Sequence, residues 1–469
     1  MQLTDKQKTA IFTDNKNILI SAAAGSGKTS VLSMRISRLI EEGADIRRML
    51  VCTFTNLAAS EMRERISNRL RDIADDKNSI RLRAQAEYAA SSDICTIHSF
   101  CLKLIKENYL NIGIPSLRIA SDQLKNTIFN NSMDDAFEQM AASDNPAFIR
   151  LSKRYVKKKE TDLKQILTDV YNFVMTMKEG LDWLISFDKD EVFNKLVSLL
   201  NELRIKRIKL MTQYFKMCLN LSEKNGWESQ KENDIKEYES SLHILNCFCN
   251  KDGFNEAVSA FSSPNRKRGL LPEDDAKLHG DYKSNARKIF REVAQYTNNM
   301  DVEQLVCEED YMLQQTRDIY DILKVFDEEY TKQKHQKGVA TFDDILRYAY
   351  SALMNENISE EWQKRYDYIF VDEYQDTNPI QDAIIEKISK SDNRFMVGDI
   401  KQSIYRFRLA DPLIFRNKQD EYDGKSDKVE LIRMNDNFRS SAAVTDKINY
   451  AMTRLMNREF GEIDYSAGE

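Results

Sequence analysis

The chain has 469 residues, 42% of them hydrophobic and 31% charged, enough apolar material for a substantial core and for more than one domain, which argues against intrinsic disorder. A net charge of -6 excludes a coat of bulk positive charge for nucleic acid and leaves room only for a local basic groove, so any DNA binding must rest on motifs. No window approaches the roughly 18 consecutive apolar residues that span a bilayer, the start MQLTDKQKTAIF lacks a signal-peptide pattern, and the cysteines are scattered, with Cys247 and Cys249 too close for a zinc pair; a reduced, cytoplasmic protein without membrane association is expected.

Up to about residue 110, short β-rich runs at 17–22, 49–55 and 93–97 alternate with helical stretches such as 57–70, the signal of parallel βαβ units. From about 115 to 335 the β-rich runs largely vanish, and charged-apolar patterns at helical period recur, as at 163–177 and 304–330. After Gly338, compact apolar runs return at 368–372 and 395–397, each closing on acidic residues as buried strands of an α/β sheet do. The expected organisation is one α/β domain in two parts, 1–112 and 339–422, split by an all-helical insertion domain over 113–338. The strand-like run Val429 to Met434, followed by NDNFRSS and a helix, is expected to open a further domain over 423–469 that is too short to be complete.

The run NILISAAAGSGKTS sets a strand, a small-residue loop, and Lys28 and Thr29 at the start of a helix. Phosphates suit such a place: backbone N–H groups from Ala24, Gly25, Ser26, Gly27 and Ser30 converge there, the helix N-terminus adds positive potential, Lys28 adds a charge, and Thr29 can ligate Mg2+. Ala22 stands where the pattern usually carries its first glycine. In YIFVDEYQD a buried strand ends on Asp372 and Glu373, so Asp372 can hold magnesium beside Thr29 while Glu373 reaches the water that attacks the γ-phosphate of ATP. An ordinary glycine-rich turn and a solvated acidic turn are the plainer readings, and each makes its flanking strand a coincidence.

Together with VDEYQDTNPIQ and VGDIKQSIYRFRLADP, in this order and at these separations, the phosphate loop resembles superfamily 1 helicases of the UvrD, Rep and RecB type. The likeness covers the α/β parts and the final stretch, and it implies a RecA-like first domain and the start of a second RecA-like domain. It implies that Gln7 in LTDKQ recognises adenine, whose edge an amide can both accept from and donate to. It implies DNA contact at Thr53, Thr55 and Asn56 in TFTNLAASEMRERI and at Thr96, His98, Ser99 and Phe100 in TIHSF, hydroxyl, amide and backbone groups that suit phosphates without reading sequence. A lone histidine near an apolar strand is more often a satisfied core residue, so both readings of His98 stay open. Gln402 is implied at the γ-phosphate; Phe438 and Arg439 of NDNFRSS are implied on adenine and, from across a cleft, on the γ-phosphate. Tyr405 and Phe407, with Arg406 and Arg408 beside them, form an aromatic-arginine cluster next to Gln402, on which bases of single-stranded DNA can stack.

Within the family, Lys401, Phe407 in place of the usual Trp, RLADPLIF and ATFDDIL look like the AddA branch. That likeness implies a motor with 3′ to 5′ polarity acting at duplex DNA ends in double-strand break repair and recombination. It also implies a heterodimer with an AddB-type partner, as well as a nuclease domain outside this chain. Two other readings remain: a UvrD- or Rep-like repair helicase without nuclease, and a protein that binds ATP and DNA without hydrolysis. Intact Lys28, Asp372, Glu373, Gln402 and Arg439 argue against the last.

Overall fold

The computed structural model describes residues 3–109, 118–155, 161–250, 252–261, 273–298, 302–406, 409–423, 427–456 and 465. Its strands are β1 (Asn17–Ala22), β2 (Met49–Thr53), β3 (Asp93–Thr96), β4 (Arg118–Ile119), β5 (Val339–Ala340), β6 (Tyr368–Val371), β7 (Arg394–Gly398) and β8 (Val429–Met434). Six of them form one sheet in the order β3-β2-β6-β7-β1-β8, every neighbouring pair parallel. All six residues of β1 are buried, which requires cover on both faces. Successive side chains supply that cover in alternation: Leu19 joins Phe100, Trp362 and Ile384 on one face, while Ile18 and Ile20 join Leu32, Ile36 and Leu70 on the other.

Parallel strands need crossovers, and helices α1 (Asp5–Phe12), α2 (Lys28–Glu41), α3 (Asn56–Asp76), α4 (Ile80–Tyr88) and α5 (Ile97–Glu107) flank the first three strands. Most of these helices start at a side-chain cap: Thr4, Thr55, Ser79 and Thr96 each accept a backbone N–H from the first turn. The helix α2 does not, for Gly27 precedes it in the left-handed region.

The chain divides into two compact units, Met1–Trp183 with Ile319–Glu469, and Leu184–Asp318. The first unit also carries α6 (Asp122–Ala142), α7 (Pro146–Tyr155) and α8 (Thr161–Val174). The described elements within Leu184–Asp318 include α9 (Lys189–Lys224), α10 (Glu228–Asn250), α11 (Phe254–Ala260) and α12 (Glu273–Asn298). They enclose Ile208, Met211, Phe215 and Ile244 and a buried polar group, in which Asp234 accepts from His279 at 2.8 Å and Lys283 pairs with Glu237 at 2.7 Å. Helix α13 (Val302–Gln336) then leads to β5, and α14 (Phe342–Leu353), α15 (Glu356–Arg365), α16 (Pro379–Ile388), α17 (Pro412–Asp423) and α18 (Ala442–Leu455) complete the chain order.

Two expectations change. The stretch from 113 to 338 is not wholly helical, since Arg118 and Ile119 form β4, paired in parallel with β5. The run Val429 to Met434 does not open a new domain: it is the sixth strand of the same sheet, in register with β1 from Asn17 opposite Val429 to Ala22 opposite Met434. Ile432 and Met434 enter the apolar layer that holds Ile18 and Ile20, and the pairing covers what would otherwise be an open apolar edge. None of the described helices is long and apolar enough to cross a membrane.

Candidate nucleotide and DNA site

The loop between β1 and α2 turns through Gly25 at φ 72° and Gly27 at φ 86°, values that glycine adopts without cost. Without a side-chain cap, the first N–H groups of α2 remain available for an anion, and the Ser26 hydroxyl is buried there with no hydrogen-bond partner among the described residues. Gln7 is buried against this loop. Its Nε2 donates to the Ser26 carbonyl at 3.0 Å and its Oε1 accepts from the Thr4 N–H at 3.0 Å, so it fastens α1 to the loop and keeps one N–H and one lone pair for a ligand.

The acidic pair lies where β6 ends. Asp372 donates its N–H to the Cys52 carbonyl at 2.9 Å, and Glu373 takes the left-handed conformation, φ 51° and ψ 44°, rare for a non-glycine residue. Burial, and then the neighbouring Glu373 carboxylate, push the Asp372 carboxyl up to about 6. A desolvated acid beside a second acid is a place that a divalent cation relieves, so the donor set fits magnesium.

Side chains from three motifs meet at Lys28. Its Nζ donates to Glu373 Oε2 at 3.2 Å and to Gln402 Oε1 at 3.3 Å. Gln402 Nε2 donates to Asp399 Oδ2 at 2.6 Å, the Asp399 N–H donates to Gln375 Oε1 at 2.9 Å, and Gln375 Nε2 returns to Glu373 Oε2 at 2.9 Å. The five residues form a closed hydrogen-bonded ring. Gln375 and Asp399 escaped sequence reasoning, although both stand inside the motifs VDEYQDTNPIQ and VGDIKQSIYRFRLADP.

Beside the acidic pair opens a cleft of about 510 Å³, lined by Thr55, Asn56, Thr96, His98, Phe342 and Asn378 among others. Four helices, α3, α5, α14 and α16, begin at this cleft, so their positive N-termini face it. The hydroxyls of Thr55 and Thr96 cap α3 and α5, and Thr53, buried, donates to the Thr55 carbonyl at 3.0 Å. Exposed Asn56 and the free helix N–H groups are left for an anion. Ser99 is exposed and bonds to Thr96 at 2.9 Å. His98 meets the ring of Phe342 edge-on at 5.5 Å, and burial lowers its pKa, favouring neutral imidazole, against the opposing pull of Asp343.

Phe100 is corrected: it is 0% exposed and packs on Trp362 and Tyr366, because one turn into α5 the helix faces the sheet. The exposed aromatic of the cleft is Phe342, 50% accessible at the first position of α14, in the ATFDDIL run, where sequence reasoning did not single it out. The ring of Tyr405 lies against that of Phe54, tilted by 31° with centres 4.6 Å apart; Phe407 and Arg408 lie outside the described residues. Phe438, 51% exposed, and Arg439 lie beside Gly25 on the edge of the same sheet, at the end of β8, rather than across a cleft on a second domain.

Residues 3–423 match the UvrD/REP helicase N-terminal domain family. Proteins named as the A component of an ATP-dependent helicase/nuclease are similar to the chain: that of Clostridium botulinum strain Loch Maree is 30% identical, over 99% of this chain and 41% of the relative. Those of Clostridioides difficile strain 630 and Clostridium kluyveri strain ATCC 8527 are 31% and 32% identical, over 99% of this chain and 40% of each relative. The chain therefore spans about two fifths of the length of these curated relatives, 40 to 41%.

Proposed function

Because the chain belongs to the UvrD/REP helicase family, we propose that it is the RecA-like, ATP-hydrolysing motor part of a cytoplasmic DNA helicase that translocates 3′ to 5′ on single-stranded DNA. The convergence of Lys28, Glu373 and Gln402 on one ammonium group carries this reading. An ammonium held by a carboxylate and an amide within 3.3 Å at a loop of open N–H groups supports a terminal phosphate being bound there, since phosphate oxygens are stronger partners for it.

In this mechanism the loop amides and Lys28 bind the β- and γ-phosphates, and Gln7 and Phe438 flank the adenine. Glu373 accepts a proton from the attacking water, and Gln402 follows the γ-phosphate as it is lost. Thr29 and Asp372 would hold magnesium, which would supply positive charge against the phosphates. Arg439, next to Gly25, stabilises the charge that develops on the γ-phosphate. Single-stranded DNA lies in the cleft, its phosphates at the N-termini of α3 and α5 and its bases against Phe342, His98 and Tyr405, with Phe407 and Arg408 extending the platform.

The relatives' name supports the pairing of helicase with nuclease, and we further propose that this motor works at duplex DNA ends in a helicase-nuclease complex for double-strand break repair and recombination. It does so as a heterodimer with an AddB-type partner, and the nuclease belongs to a part of the protein other than this chain. The test is steady-state ATP hydrolysis by the full-length protein with Mg2+, with and without single-stranded DNA, beside Lys28→Ala. Strong DNA stimulation that Lys28→Ala abolishes is expected. Nucleotide and DNA binding with no hydrolysis would instead leave a binding module.

A further inference from the structure

Gln375 is 1% exposed and sits two residues after Glu373, in the turn that follows β6. The orientation of its amide is fixed by chemistry, since a carboxylate needs a donor and an N–H needs an acceptor. Nε2 therefore faces Glu373 Oε2 at 2.9 Å and Oε1 faces the Asp399 N–H at 2.9 Å. The same nitrogen also donates to Asp376 Oδ2 at 3.2 Å. The amide packs closely on Gly398, where an added Cβ would lie 2.5 Å from Gln375 Oε1.

Asp399, also 1% exposed, holds Gln402 Nε2 on its carboxylate at 2.6 Å. Glu373 and Gln402 are thus joined twice, through Lys28 and through Gln375 with Asp399. Nucleotide binding draws Lys28 onto phosphate oxygens and opens the first path. The second path persists, and its two intermediates, Gln375 and Asp399, are buried. Glu373 needs such a tether, because its left-handed backbone is strained and keeps its place only where neighbours hold it.

We propose that Gln375 is a positioning residue for ATP hydrolysis, orienting the Glu373 carboxylate and linking it to the strand end that carries Gln402. The inference rests on the roles given above to Glu373 as base and Gln402 as phosphate sensor. When the γ-phosphate leaves and Gln402 changes partners, Asp399 and Gln375 shift with it, and the base loses its alignment.

The experiment compares Gln375→Glu and Gln375→Met in the full-length protein, measuring kcat and KM for ATP with and without single-stranded DNA. Each variant is expected to lower the DNA-stimulated kcat by about 10-fold or more, while KM for ATP changes less than about 3-fold. In single-turnover assays, adding Gln375→Met to Glu373→Gln should cost less than about 2-fold further, because the residue acts through the base. Gln375→Glu keeps the volume and the acceptor for Asp399, so it carries the test if Gln375→Met does not fold. A kcat within about 2-fold of the parent, or fully multiplicative losses in the double variant, overturns the proposal. Absence of DNA-stimulated hydrolysis in the parent protein strikes the motor reading instead, and the two failures are read in separate samples.

Discussion

The backbone N–H of Phe438 donates to the Gly25 carbonyl at 2.9 Å, so the segment that follows β8 is bonded main chain to main chain with the phosphate loop. Gly25→Ala tests that closeness. A Cβ there would lie 2.7 Å from Arg439 Cβ and 2.8 Å from Asn437 Oδ1, on a backbone at φ +72° that side chains resist. Nucleotide affinity should fall at least about 10-fold, or about 1.4 kcal/mol, in a titration with a fluorescent ATP analogue. Unchanged affinity would mean that the loop and the segment separate freely.

Lys28→Ala removes the ammonium proposed to bind the β- and γ-phosphates and leaves Glu373 and Gln402 without their shared donor. Tight ATP binding should be lost. Glu373→Gln should instead retain magnesium-dependent binding and lose hydrolysis, because the amide keeps the shape and lacks the basic oxygen. Equal loss of binding in both variants would refute this division of labour.

Asp372 gives a pH dependence whose sign is fixed by its carboxyl being raised to about 6 from 3.8. The folded, nucleotide-free protein prefers the protonated acid, so this group's contribution to stability is complete below about pH 3.8 and is lost as pH rises through about 6. Asp372→Asn should therefore raise the thermal midpoint more at pH 7.5 than at pH 4.5. Magnesium-ATP requires the ionised acid, so its affinity should fall below pH 6 by up to about tenfold per unit, and Asp372→Asn should remove that slope. A slope that persists in the variant would assign it to another group.

Phe342→Ala and Tyr405→Ala should each weaken single-strand binding by about 1 to 3 kcal/mol, with ATP affinity in the absence of DNA little changed. Fluorescence anisotropy of a labelled oligonucleotide measures it. Full affinity in both variants would make these rings part of the packing, as Phe100 is.

Lys334 and Asp344 form a buried ion pair at 2.5 Å, and Asp344 also accepts from the Thr341 N–H at 2.7 Å in the capping box of α14. Lys334→Met should cost about 3 kcal/mol in urea unfolding, the low end for a stranded buried charge because the cap still serves Asp344. Adding Asp344→Asn should restore part of the loss. No restoration would show that Lys334 acts through the contact of its ammonium with the Tyr330 ring, 4.2 Å from the ring centre, rather than through its pairing with Asp344.

The phosphate loop and the acidic strand end were legible in the sequence because both are abrupt: an apolar strand stops and polar or small residues take over. The partner of a strand is not encoded in that way. Val429 to Met434 reads equally well as the first strand of a new sheet or the last of an old one, and only the register with β1 decides. Aromatic residues near a motif were likewise ambiguous. Phe100 and Phe342 both belong to helices that begin at the cleft, yet Phe342 follows its cap directly and points outward, while Phe100 stands a turn inside and meets the sheet. Gln375 is not legible because a glutamine beside two acids carries no signal of its own; its importance lies in Asp399, which is distant in sequence.

The strand order also sets a problem for the ribosome. Of the partners in the sheet, only β2 and β3 are both made early; β1, with every residue buried in the finished protein, gains its neighbours β7 and β8 only after most of the chain has been synthesised. At about 5 to 20 residues per second that interval is some tens of seconds, during which an apolar strand and the face of α2 stay uncovered. The nascent chain is therefore a natural client for chaperones that shield apolar segments, and synonymous changes that slow translation between β3 and β7 should lower the yield of folded protein without altering a single side chain.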